Sequence, residues 1–104
     1  MVLLHMVTHS SAQAREIAEL LVEEKLVLNA LIQPKVSWIG KGLPSGGRDD
    51  DTLIMAQTKG LLFDKIDSRL RGLYKEKMPV LYSVPIVNMD WEQADVLRAQ
   101  TAKI

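Results

Sequence analysis

The chain has 104 residues, of which 47% are apolar, so we expect one domain, spanning residues 1–104, with a compact core. Thirteen Lys and Arg balance thirteen Asp and Glu, which excludes the strongly basic surface that holds a nucleic-acid backbone, so nucleic acid is not an expected partner. The absence of cysteine excludes disulfides, thiolate zinc sites and a cysteine nucleophile.

The chain opens with a predicted strand followed by a predicted helix. Residues 2–8 are short and apolar, typical of a buried strand, and Ser10 with Gln13 predicts a capping box that starts a helix ending near Leu26. Residues 1–8 have no basic start and no cleavage site, and no apolar run is long enough to cross a bilayer. We therefore expect a cytoplasmic protein without a membrane partner.

A long strand and a Gly-rich link come next. Residues 27–40 are rich in branched and aromatic side chains, and Pro34 predicts a bend or bulge because it cannot donate to a sheet ladder. The link that follows, GLPSGGRDDD over residues 42–51, resembles a phosphate loop with magnesium ligands behind it.

A phosphate loop ends in Lys and a hydroxyl residue and is followed by a helix, whereas here Arg48 and Asp49 hold those positions and residues 52–58 predict a strand. We interpret the link as a flexible, charged hairpin tip between two long strands. Its aspartates, Asp49 to Asp51, are then solvated charges that protect a strand edge rather than a magnesium cage.

The second half of the chain predicts a helix, a strand and a last helix. Leucines, Phe63 and Ile66 recur at helical spacing and predict a helix over residues 60–75. Residues 79–87 predict a strand with Pro85 at an edge or bulge. Asp90 with Gln93 predicts the cap of a helix that continues through Lys103. This order predicts an α+β fold: a ferredoxin-like βαββαβ arrangement with an antiparallel sheet and a C-terminal helix.

The strands are apolar at nearly every position, which is typical of strands buried on both sides. Two helices can cover only one face of a four-stranded sheet. We therefore expect the other face to be buried against further subunits.

Few residues suggest chemistry. His5 lies within an apolar strand and is interpreted as a satisfied core histidine, and His9 ends that strand without neighbours that would complete a site. Trp38 and Trp91 lie near the ends of elements, where tryptophan serves as an interface anchor or as core. No nucleophile elbow and no carboxylate pair at helical spacing are visible, so an enzyme is not predicted.

The stretch IAELLVEEKL, residues 17–26, resembles a helix end of the CutA divalent-cation-tolerance family, a PII-like group of ferredoxin-like proteins. The resemblance continues in register to the last strand, through Pro34, Val36, Ile39, Leu53 to Met55, Thr58, Arg69, Leu73, Pro79 and Val84 to Ile86. It implies a homotrimer that acts in metal-ion response by assembly and binding rather than by turnover, with a divalent metal, copper, as the family's ligand.

Most polar positions of the family's cleft are substituted. Asn29 stands at the usual cysteine and Gln57 at the usual lysine, and further differences fall at Gly40, Gly42, Tyr74 to Lys77 and Val80. Without a thiolate to select a soft ion, no residue is predicted as a metal ligand.

The residues predicted to bind a ligand at a subunit cleft are Trp38, Gln57 and Lys59. The alternative function is a PII-like sensor of a small ligand or nucleotide that signals to a protein partner of unknown identity, with Lys59 and Arg48 as contacts. An enzyme on the same fold is a third alternative, for which no acid, base or nucleophile set is visible.

Overall fold

The four predicted strands form one antiparallel sheet in the order β2-β3-β1-β4. The structure is a computed structural model that describes residues 1–39 and 47–103. It confirms the predicted α+β order with a C-terminal helix. The elements are β1 (Val2–Thr8), α1 (Ser11–Glu23), β2 (Asn29–Ile39), β3 (Gly47–Thr58), α2 (Phe63–Tyr74), β4 (Val80–Pro85) and α3 (Trp91–Gln100).

The core lies between α1, α2 and one face of the sheet. Cross-strand partners of an antiparallel sheet point to the same side, so the row Ile32, Ile54, Met6 and Leu81 faces the core together. Leu21 of α1 and Leu70 of α2 are fully buried against it. Each such side chain contributes about 1.5–3 kcal/mol on burial, so both helices are held to this face.

The start of α1 follows the predicted capping pattern, whereas its end differs. Ser10 Oγ accepts a hydrogen bond from the Gln13 backbone N–H at 3.1 Å. The helix ends at Glu23, before the expected Leu26, because Lys25 adopts a left-handed conformation with φ 59°. The Leu26 N–H then donates to the Leu21 carbonyl at 2.9 Å and closes the helix.

The long hairpin strands confirm one prediction and correct another. The register shifts between Gln33 and Val36, so the predicted bulge at Pro34 is present. However, β3 begins at Gly47 rather than at Thr52, and Asp51 is 2% exposed opposite Val36. The expectation that Asp51 is a solvated charge is therefore wrong, because pairing with β2 continues beyond the bulge. Residues 40–46 of the predicted hairpin tip lie outside the described residues.

The C-terminal helix begins as predicted, since Asp90 Oδ2 accepts from the Gln93 N–H at 3.2 Å, and it ends at Gln100. The chain beyond it returns to the domain, where the Ala102 N–H donates to the Lys25 carbonyl at 2.6 Å. Within residues 1–39 and 47–103, no helix is long and apolar enough to span a membrane.

Candidate functional site

The face of the sheet that points away from α1 and α2 is apolar, and we call it the open face. Its central row crosses all four strands through Leu31, Met55, His5 and Tyr82. The flanking rows are Gln33, Leu53, Val7 and Val80 on one side and Asn29, Gln57, Leu3 and Val84 on the other. These three rows contain no Asp, Glu, Lys or Arg, and Leu31 is 63% exposed.

A cavity of about 320 Å³ lies on the open face between β1, β4 and the outer half of β2, and Trp38 lines it half-buried. Its floor includes His5, whose Nδ1 lies 3.1 Å from Tyr82 Oη. The two rings meet edge-on, with centroids 5.2 Å apart. His5 is therefore an open-face residue with a hydrogen-bond partner, and its interpretation as a core histidine is wrong, because β1 directs odd-numbered side chains away from the helices.

Gln57 and Lys59 are the other two predicted binding residues. Gln57 contacts the C-terminal helix, and Lys59 contacts the residues that follow it. Gln93 Nε2 donates to Gln57 Oε1 at 3.2 Å. Lys59 Nζ donates to the carbonyls of Thr101, at 3.4 Å, and Ala102, at 3.0 Å. In one protomer both residues thus fasten α3 and its tail to the end of β3.

The structure does not bring Trp38 together with Gln57 within a protomer. Trp38 pairs with Arg48 near the start of β3, whereas Gln57 pairs with Asn29 near its end. At about 3.3 Å per residue the two positions lie about 30 Å apart along the strand. Asn29 and Gln57, at the positions where the family resemblance implies a cysteine and a lysine, are cross-strand neighbours. The local sequence pattern does not indicate this adjacency, because it depends on the register of β2 against β3.

A second cavity, of about 490 Å³, lies between the N-terminal turn of α1 and the C-terminal end of α2, beside His9. There Tyr74 Oη donates to Glu16 Oε1 at 2.5 Å. Burial, then the hydrogen bond to Glu16 and its charge, raise the pKa of Tyr74 to about 12. Tyr74 is consequently a protonated donor near neutral pH and not a base.

The family-like Arg69 lies outside these cavities and joins the two helices. Its guanidinium donates through Nε to Glu24 Oε1 at 2.9 Å and through Nη2 to Glu24 Oε2 at 2.7 Å. The hydrogen bond from Arg69 lowers the pKa of Glu24 and raises that of Arg69. The pair is solvent-exposed and fixes the end of α1 to α2, which is a structural role.

Among the described residues, the donor groups of one protomer do not form a site for a divalent cation. In the described part of the chain, no three His, Asp or Glu side chains come together. His5 faces a tyrosine on the open face, and His9 lies at the far end of β1. A soft cation such as copper prefers thiolate and imidazole ligands, which do not converge here.

A βαββαβ sheet with two helices on one face and three uncharged rows on the other defines a small ferredoxin-like α+β protein. No family model matches the chain. It is 30% identical over 92 residues, 88% of this chain and 89% of the relative, to the divalent-cation tolerance protein CutA of Thermus thermophilus. The chain therefore belongs to the CutA divalent-cation-tolerance family, as the sequence predicted.

Solved structures share this fold. The divalent cation tolerance protein from Thermus thermophilus superimposes with a TM-score of 0.86 at 28% identity, covering 98% of this chain and all of that one. CutA1 from Oryza sativa superimposes with a TM-score of 0.87 at 15% identity, covering 99% of this chain and 94% of that one. A CutA named as periplasmic, from Archaeoglobus fulgidus, superimposes with a TM-score of 0.80 at 19% identity, covering 96% of this chain and 98% of that one.

Proposed function

We propose that this protein serves divalent-cation tolerance as a homotrimer that acts by assembly and binding rather than by turnover. The observation that carries the proposal is the open face, where apolar side chains such as Leu31 and Val84 remain 63% and 40% exposed. A contiguous apolar face of this kind marks an interaction surface. Because its three rows lack Asp, Glu, Lys and Arg, identical copies can cover it without repulsion between like charges.

We propose further that Trp38, Gln57 and Lys59 line clefts between subunits. Trp38 and Gln57 both belong to strands of the open face, but they lie about 30 Å apart in one protomer. A shared cleft therefore takes Trp38 from one subunit and Gln57 with Lys59 from its neighbour. The amide and indole groups suit a polar organic ligand better than a soft metal ion.

Sedimentation velocity of the purified protein at micromolar concentration and about pH 8 tests the assembly. We expect one species of three times the 11.7 kDa of a single chain. A monomer under these conditions would overturn the proposal, because the open face would then be stable in water without a partner.

Calorimetric titration of the same sample tests for direct cation binding. Because no cysteine is present and the described histidines and carboxylates do not converge, we expect Cu²⁺, Zn²⁺ and Mg²⁺ to bind more weakly than micromolar. Micromolar binding of Cu²⁺ by the trimer would contradict this expectation and would indicate a site completed by several subunits.

The alternative, a PII-like sensor of a small anionic ligand or nucleotide, is favoured by one cavity. Lys59 and Arg98 both line an opening of about 490 Å³ beside Met1 and Leu61. A melting temperature that rises with nucleotide concentration would support the sensor. For either function we propose the cytoplasm as the compartment, which cell fractionation tests.

A further inference from the structure

We infer that His5 makes the assembly sensitive to pH: the open faces pack together while His5 is neutral and separate when it takes up a proton. This inference rests on the proposed homotrimer, since it concerns the surface through which the copies meet.

The position of His5 in the sheet is the first argument. β1 is an inner strand, and His5 lies in its middle, with Met55 opposite on β3 and Tyr82 opposite on β4. Leu3 and Val7 flank it along β1 on the same face. His5 is half-buried, whereas Leu31 and Tyr82 in the same row are 63% and 47% exposed. A copy that covers this row therefore removes His5 from water.

The second argument is the surrounding charge. Tyr82, the titratable group in contact with His5, is a phenol and not a carboxylate. On β2 and β4 the facing residues Leu31, Trp38, Val80 and Val84 are uncharged. On β3 the first described carboxylate of this face is Asp51, which lies about 13 Å along the strand from Met55, the residue opposite His5. The amino group of Met1 lies about 13 Å from His5 along β1. No described carboxylate is thus placed to neutralise an imidazolium at this position.

The direction of the pH effect follows from desolvation. An imidazole ordinarily titrates near pH 6.5, and burial in an apolar contact disfavours its charged form. The separated subunits therefore bind more protons than the assembly at mildly acid pH. The assembly keeps its full strength while the imidazole is neutral and weakens as the pH falls through the range in which an imidazole takes up a proton. With one histidine per subunit, the dissociation constant of a trimer rises by up to about a thousandfold per pH unit in that range.

The chain offers a matched control because His5 and His9 are its two histidines. Sedimentation velocity is measured at about pH 8 and about pH 5.5, with circular dichroism of each sample to monitor the protomer fold. We expect the wild type and His9→Gln to be trimeric at the higher pH and dissociated, but folded, at the lower. His5→Leu, which matches the apolar neighbours, is expected to be trimeric at both. His5→Gln, polar and without a titrating group, provides the second test and should likewise not respond to pH.

The outcomes separate this inference from the proposed function. A wild type that is monomeric at about pH 8 overturns both. A wild type that remains trimeric at both pH values overturns the switch alone. Dissociation of both His5→Leu and His5→Gln at low pH assigns the pH effect to another group and overturns the switch at His5. A His9→Gln protein that no longer dissociates at low pH has the same consequence.

Discussion

Lys25 holds a backbone conformation, φ 59°, that is unfavourable for a residue with a Cβ atom. The conformation is imposed by the end of α1, where the Lys25 N–H donates to the Val22 carbonyl at 3.1 Å and the Leu26 N–H to that of Leu21 at 2.9 Å. Glycine is the usual residue at this position in helices that end in a left-handed conformation.

We therefore expect Lys25→Gly to raise the free energy of unfolding by about 0.5–1 kcal/mol, because relief of the strained φ exceeds the loss of chain entropy. Chemical denaturation measures the change. Lys65→Gly, within α2, is the control and should instead lower stability by about 1 kcal/mol. A destabilised Lys25→Gly protein would contradict the argument.

At this scale the sequence predicted the features that depend on local chemistry. The Ser10 and Asp90 caps follow from the preference of Ser and Asp for the N-cap, and the bulge at Pro34 follows from the missing N–H of proline. All three are present. The turn at Lys25 was missed because a lysine carries no turn signal. The hydrogen bond from Tyr74 to Glu16 was missed because it depends on how α1 and α2 pack together.

At the scale of elements, α3 is attached to the domain by one buried leucine and by hydrogen bonds near both of its ends. Leu97 is fully buried, Lys59 binds the carbonyls that follow the helix, and Gln93 donates to Gln57. Two of the predicted ligand-binding residues are therefore structural within the protomer. A change in α3 would alter the site proposed around them.

Leu97→Ala is expected to lower the free energy of unfolding by about 2–5 kcal/mol, because truncation leaves a cavity at a fully buried position. Hydrogen exchange should accelerate over Trp91–Gln100 more than over α1. Val96→Ala, at a neighbouring position that is 45% exposed, should change stability by no more than about 0.5 kcal/mol. Equal effects of the two substitutions would show that Leu97 does not anchor the helix.

The existence and order of the elements were predictable because the two long helices have a helical apolar period and the strands are apolar runs between turn and capping residues. The start of β3 was not predictable, since Asp49 to Asp51 have low strand propensity and suggested a loop. Pairing with β2 overrides that propensity, and such long-range pairing is not encoded in the local pattern.

At the scale of the whole molecule, the element order predicted a sheet face without the two long helices, and apolar side chains such as Leu31 are exposed there. Burial of this face against further subunits, which the apolar strands predict, stays a prediction. The sequence did not show that Trp38 and Gln57 lie near opposite ends of β3, since their separation depends on the hairpin register. The predicted cleft consequently requires at least two subunits, and its residues stay a prediction until the assembly is tested.

A single charge placed on the open face should separate the subunits without unfolding them. Leu31→Glu introduces a carboxylate at a position that is 63% exposed in the protomer, so the protomer tolerates it, whereas covering copies would desolvate it. We expect assembly to require an at least about hundredfold higher concentration, measured by sedimentation. Leu73→Glu places the same charge on α2, away from the open face, at a residue 46% exposed, and should leave the assembly unchanged. If both variants assemble like the wild type, the copies do not meet through the open face, and if both dissociate, the effect of charge is not specific to it.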